Sequence, residues 1–248
     1  MSMDDRTRRW LSEAGVGPGM RVLDVGTGAG PVALIAARLV GPTGSVVGLD
    51  RDGRRLVRAR TAAAAAGLDN VTFVEGTVED AELGAFDAVI GRRVLMHLPD
   101  PEGALRTLAE ALVSGGLVLF EEMDFTLGSV GRPPLPLHEQ VAAWTRTALD
   151  SAGVKRHMGY DLHPTLTAVG LTDVQVRMEA IVTTADQGHH PARVLKHLLP
   201  HMIRRGEVTA DEVAIETLEE RLLAERAAAA GTWIGDWVFA AWGRRPAP

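Results

Sequence analysis

Short apolar runs and amphipathic stretches alternate along the first half of the chain. Arg21–Val25 (RVLDV) is an apolar run stopped by glycines, the mark of a strand buried on both faces. Val32–Leu39 then repeats its apolar positions with helical spacing. Ser45–Leu49 (SVVGL) predicts a second strand that ends at Asp50, and Arg54–Ala66 a helix closed by Gly67. Val71–Glu75 (VTFVE) and Phe86–Gly91 (FDAVIG) predict strands three and four. A helix over Pro101–Leu112 and a fifth strand over Gly116–Phe120 (GLVLF) complete the series. Strands that alternate with helices pair in parallel through right-handed crossovers.

The second half breaks this rhythm. Gly128–Pro136 is rich in Gly and Pro and predicts a loop. Helical patterns follow at His138–Ser151 and Asp161–Val169, the latter stopped by Gly170, and then rough alternation at Asp173–Thr183 predicts a strand. Ala192–Arg204 and Ala210–Ala230 read as helices, and Trp233–Trp242 (WIGDWVFAAW) as the last strand. The expectation is one α/β domain over residues 1–248: a core at about 18–125, with helical inserts at about 126–158 and 185–231. The alanine runs Ala62–Ala66 and Ala227–Ala230 read as helix filler, because Ala is the best helix former.

Composition narrows the chemistry. The chain is 46% hydrophobic and 23% charged, with a formal net charge of −6. It therefore lacks the basic footprint of a nucleic-acid binder. With no cysteine, disulfides, thiol nucleophiles and thiolate metal sites are excluded. Met1–Trp10 is charged and has no apolar h-region, and no stretch reaches membrane-spanning length. A cytoplasmic protein is expected, a monomer or homodimer with a small-molecule substrate and neither nucleic acid nor membrane as partner. His189, His190, His197 and His201 cluster in the second insert, but no carboxylate lies among them and Pro200 interrupts the turn, so no metal site is expected.

The sharpest feature lies between the first strand and the first helix, Asp24-Val-Gly26-Thr27-Gly28-Ala-Gly30. Glycines permit the tight turn and let a ligand lie against the backbone near the positive end of a helix. The spacing is G-x-G-x-G, whereas a dinucleotide fingerprint needs G-x-G-x-x-G. A phosphate loop would need Gly-Lys-Ser/Thr, yet Pro31 follows Gly30. Asp24 would repel a pyrophosphate but could accept from an ammonium. Asp50, at the end of the second strand, is placed to accept both hydroxyls of an adenosine ribose.

At these residues the chain resembles the class I, Rossmann-like methyltransferases that use S-adenosyl-L-methionine. VLDVGTGAGPVALIAARLVGPTGSVVGLD is similar to their first motif and acidic second-strand end. FDAVIGRRVLMHLPDPEGALRTLAEALVSGGLVLFEE resembles the later block of the ubiquinone-biosynthesis-like, small-molecule branch. The resemblance covers roughly residues 18–125. It implies a doubly wound, mostly parallel sheet of seven strands, the last antiparallel, with the helical inserts as a lid. It implies that Gly26, Gly28 and Gly30, with Asp24 and Thr27, form the methionine-side loop, that Asp50 holds the ribose, and that Arg51 flanks the adenine. The family's usual Gly-Asp after the third strand is here Gly76-Thr77-Val78-Glu79, so the Val78 backbone or Glu79 would replace the Asp. Arg92 would meet the methionine carboxylate.

The implied reaction is methyl transfer to O, N or C of a small metabolite, secondary metabolism being one setting. In-line displacement from a sulfonium rests mainly on positioning, and a base is needed only when the acceptor must lose a proton. His97 is the base candidate, and it could equally serve as a local packing residue. Asp124 is the first candidate for holding substrate among Glu121, Glu122 and Asp124. Trp144, Met158 and Tyr160 fit either a substrate pocket or the core. Arg6, Arg8, Arg9, Arg204 and Arg205 read as solvated. Three rivals stand beside this reading: a cyclase or pericyclase that keeps the sulfonium ligand without transferring its methyl, a non-catalytic binding module, and an NAD-dependent oxidoreductase.

Overall fold

The chain begins with a helix that the hydrophobic pattern did not announce. In the computed structural model, which describes residues 2–78, 84–128, 130–184 and 191–247, α1 (Met3–Ala14) starts at a capping box formed by Ser2 and Asp5. It stops where Gly15 turns left-handed. Trp10, Leu11 and Ala14 form its buried stripe. There follow β1 (Arg21–Val25), α2 (Pro31–Val40), β2 (Ser45–Asp50), α3 (Gly53–Ala65), β3 (Val71–Glu75) and β4 (Phe86–Arg92), then a short 3-10 turn over Leu95–His97. After it come α4 (Pro101–Glu110), capped by Asp100 and opened by Pro101, and β5 (Leu112–Asp124). The remainder is β6 (Val130–Arg132), α5 (Pro136–Ser151), α6 (Met158–Ala168), β7 (Thr172–Thr183), α7 (Pro191–Arg204), α8 (Ala210–Val213), α9 (Ile215–Ala229) and β8 (Thr232–Arg244).

The chain divides into two compact units. The first is Met1–Glu122, Gly159–Arg177 and Phe239–Pro248, and the second is Met123–Met158 and Met178–Val238. In the first, β1 lies between β2 and β4, with β3 outside β2 and β5 outside β4, all in parallel. Val22, Leu23, Val89 and Ile90 in the central strands have no exposed surface, which explains their unbroken apolar runs. The chain winds outward in one direction from β1 to β3 and in the other from β4 to β5. The carboxyl ends of β1 and β4 therefore flank a topological switch point, where α/β sheets bind ligands.

In the second unit, β6 pairs antiparallel with the start of β8, Gly131 opposite Trp233. α5, α7 and α9 share an apolar cluster built on Val141, Leu195, Met202, Leu218 and Leu222.

The α/β class and mostly parallel sheet are as expected, but among the described residues the sheet has eight strands in place of seven. The extra one, β6, lies in the stretch read as a loop, because three residues are too few to show alternation. The expected single helix at 210–230 is two helices. Ala214 takes φ 44 between α8 and α9, and the capping box of Thr209 with Glu212 starts the first of them.

Candidate functional site

The turn from β1 into α2 forms one wall of a cavity of about 340 Å³ in the first unit. Gly26, Thr27, Gly28, Ala29, Pro31 and Val32 line it together with Asp24, and Arg55, Arg92, Arg93 and His97 complete it. Gly26 has φ 62, and a Cβ there would stand 2.6 Å from Val94 Cγ2. Gly28, at φ 57, would meet nothing nearer than a backbone oxygen at 4.0 Å, so its missing side chain leaves room on the cavity side. Gly30 does a different job: it begins α2 at φ 85, and a Cβ would press on Ala59 and Phe73. Two of the three glycines thus face the cavity and the third packs the helix against its neighbours.

Asp24 is 1% exposed. Its Oδ2 accepts from Thr27 Oγ1 at 2.6 Å, while the buried Oδ1 has no hydrogen-bond partner among the described residues. Burial raises its pKa to about 7, against the Thr27 hydrogen bond and the charge of Arg92. A buried carboxylate oxygen left unmatched at a cavity wall suits a cationic group of a ligand. Asp50 is held rigidly beside the loop, Oδ2 accepting from Gly28 N at 2.8 Å and Oδ1 from Asp52 N at 2.9 Å. Each carboxylate oxygen keeps acceptor capacity for a hydroxyl.

Arg92 is pinned by α1. Its Nη1 donates to Asp4 Oδ1 at 3.1 Å and to Thr7 Oγ1 at 2.9 Å. Thr7 donates to Glu121 Oε2 at 2.6 Å, and Arg6 pairs with Glu121 Oε1 at 3.0 Å. Arg6 is therefore a buried partner of Glu121, not the solvated residue expected; Arg8 and Arg9 are exposed. Pattern reading missed α1 because its buried stripe is short and mixed with arginines, although Ser2-x-x-Asp5 was a usable start signal.

Glu122, fully buried, accepts from Val94 N and Leu95 N at 2.8 Å each. Burial pushes it up to about 7 against hydrogen bonds from the Val94, Leu95 and Met96 backbone. It is a positioning residue, since it anchors the segment that puts Val94 against Gly26 and His97 at the cavity. His97 is held below the ordinary histidine value by partial burial and by the charges of Arg93, Arg51 and Arg55.

The remaining predicted residues lie elsewhere. Arg51 is exposed and outside the cavity lining, Thr77 is half-buried, and Val78 is buried beyond β3. Glu79, His189 and His190 lie outside the described residues. Asp124 belongs to the second unit, fully buried, where Oδ1 accepts from Thr126 N at 2.9 Å and from its hydroxyl. Trp144 packs on the apolar cluster, Met158 is buried, and Tyr160 is 51% exposed against Phe239. Among the described residues no group of metal-ligating side chains comes together, and no helix is long and apolar enough to cross a membrane.

Residues 17–166 match the family described as "Methyltransferase domain". Aklanonic acid methyltransferase DauC of Streptomyces sp. (strain C5) is 37% identical over 116 residues, 45% of this chain and 51% of that protein. The ubiquinone biosynthesis O-methyltransferase of Pectobacterium atrosepticum is 37% identical over 109 residues, 43% of this chain and 44% of that protein. The chain thus spans about half the length of these curated relatives. Among solved structures, the YcgJ protein of Bacillus subtilis has a similar fold, with a TM-score of 0.64 at 18% identity, covering 98% of this chain and 100% of that one.

Proposed function

From the premise that the chain belongs to the class I S-adenosylmethionine-dependent methyltransferases, we propose that it transfers a methyl group to O, N or C of a small metabolite, secondary metabolism included. The observation that carries this reading is the cavity beside Gly26 and Gly28, where an unmatched Asp24 oxygen and three arginines face the same space. That wall suits a zwitterion: Asp24 for an ammonium, and Arg55, Arg92 and Arg93 for a carboxylate. Asp50 would take the ribose hydroxyls. Both relatives' names state small-molecule chemistry, aklanonic acid in one and ubiquinone biosynthesis in the other.

S-adenosylmethionine supplies an electrophilic methyl on sulfur when bound. The protein's contribution is to hold and orient. Gly28 leaves space for the ligand while its N–H fixes Asp50, and Glu122 fixes the His97 segment. A neutral His97 can accept a proton from an acceptor group that must lose one. The helices of the second unit are proposed to select the acceptor, since one core serves many chemistries.

Calorimetric titration with S-adenosylmethionine, S-adenosylhomocysteine and NAD tests this reading. Both sulfur ligands are expected to bind, NAD is not, and Asp50→Ala is expected to weaken both. If neither sulfur ligand binds, the reading is wrong. Product mass then separates transfer from cyclisation: a methylated product supports transfer, and a rearranged product of unchanged mass supports a cyclase.

A further inference from the structure

The second unit buries a charge that none of its described residues answers. Arg226, in the last turn of α9, has no exposed surface, and its Nε, Nη1 and Nη2 have no hydrogen-bond partner among the described residues. An unpaired buried guanidinium is strongly unfavourable, so such a group calls for a counter-charge that the described residues do not supply.

Beside it stands a second unmet group. His138, in the first turn of α5, is 2% exposed, and its Nδ1 lies 2.7 Å from Glu225 Oε2. Glu225 also accepts from Leu137 N at 2.8 Å and His138 N at 3.2 Å. Burial works to raise Glu225, but these hydrogen bonds outweigh it and hold the carboxyl below its ordinary value. An ionised carboxylate only accepts, so the proton sits on Nδ1 and Nε2 of the neutral ring carries a lone pair. That Nε2 is buried and has no partner among the described residues.

The ring is fixed from its other side by Trp233, with centroids 5.0 Å apart. The charged groups acting on His138 are Glu225 and Arg226, both from α9. Elsewhere α5 meets α7 and α9 through apolar residues. Burial and the charge of Arg226 hold His138 below the ordinary histidine value, with Glu225 opposing.

The charge of Arg226 acts on His138, so one ligand group placed between them would satisfy an empty acceptor and an empty cationic donor at once. A hydroxyl gives its hydrogen to Nε2 and accepts from the guanidinium. A ligand that arrives already ionised would answer Arg226 but repel the lone pair, and a water would leave the charge uncompensated. We infer that His138, Glu225 and Arg226 form a binding site for an acidic hydroxyl, a phenol or an enol, held by Arg226 as its oxyanion. In that step the ligand's O–H bond breaks and an Nε2–H bond forms. Nδ1 keeps its proton toward Glu225, whose charge balances the imidazolium, as Arg226 balances the oxyanion. That this hydroxyl is the methyl acceptor rests on the function proposed above; the binding itself does not.

The probe is 4-nitrophenol, whose phenolate absorbs at longer wavelength than the phenol, titrated into the full chain without S-adenosylmethionine. The wild type is expected to show the phenolate band at mildly acidic pH, where the free probe is mostly neutral. Arg226→Met should weaken binding about tenfold or more and return the bound probe to the phenol form. His138→Phe keeps a ring against Trp233 but removes Nε2, and should also lose the shift. Arg226→Met should melt no lower than the wild type, because it removes an unpaired buried charge. Absence of the phenolate band with the wild type, an unchanged band with Arg226→Met, or a collapse of that variant's melting temperature would each overturn the site. Adding S-adenosylmethionine then reports separately: a methyl ether identifies the bound phenol as an acceptor, while ionised binding without transfer leaves the site standing and counts against the transfer reading.

Discussion

The two units treat buried charge in opposite ways. In the first, Arg6 meets Glu121, Arg92 meets Asp4 and Thr7, and Glu122 accepts from two backbone N–H groups. Among the described residues its unmatched buried side-chain atoms, Arg6 Nε, Asp24 Oδ1 and Glu122 Oε2, each belong to a side chain paired through another atom, and Asp24 stands at the cavity wall. In the second, a whole guanidinium and a histidine nitrogen are buried without partners among the described residues, on two helices far apart in the chain. Internal pairing makes the first unit a rigid holder, because each charge fixes another element in place. The missing pairing makes the second a receiver, whose charge is completed by what it binds.

The largest expected effect tests the holder. Glu121→Ala strands the buried Arg6 and removes the acceptor of Thr7, and should cost about 3–5 kcal/mol in denaturant unfolding. A loss below about 1 kcal/mol would mean that α1 is not fixed by this network. Next, Gly26→Ala puts a left-handed backbone and a contact of 2.6 Å with Val94 into the loop. The backbone alone should cost about 1–2 kcal/mol, and S-adenosylmethionine binding should be lost in calorimetry. Gly28→Ala separates space for ligand from fit within the fold. It carries the same backbone penalty without a close contact, so the two variants should unfold differently yet both bind poorly.

A smaller effect concerns pH. Asp24 and Glu122 both titrate near 7 in the folded chain, above the ordinary 3.8 and 4.5. Below about 4 the stabilising effect of the protonated acids is fully present, and it is lost as pH rises through about 7, because the folded state binds protons that the unfolded state has released. Wild type minus Asp24→Asn stability should therefore fall across that window in denaturant titrations. A flat difference would mean that Asp24 is solvated or paired. Bound S-adenosylmethionine should reduce this slope, since an ammonium favours the ionised carboxylate. The smallest effect belongs to the surface: Arg204→Ala, at an exposed position, should change stability by less than about 0.5 kcal/mol.

How much of this was legible in the sequence depended on distance along the chain. The strands of the first unit, the glycine turn and Asp50 were readable because each is written in a few adjacent residues under strong local constraint. Apolar runs mark strands buried on both faces, and left-handed turns select glycine. Sequence pattern gives Arg6 as solvated, because its partner lies 115 positions away at Glu121. His138 has only the pattern of an ordinary helical residue for the same reason, its partner Glu225 being 87 positions distant. Local pattern therefore determined the family resemblance, the central sheet and the loop that lines the cavity. Only the tertiary structure decided which charges were paired, that Glu122 anchors the His97 segment, and that Arg226 has no partner among the described residues. Electrostatic partnership depends on positions in space, and periodicity carries no information about which side chains long loops bring together.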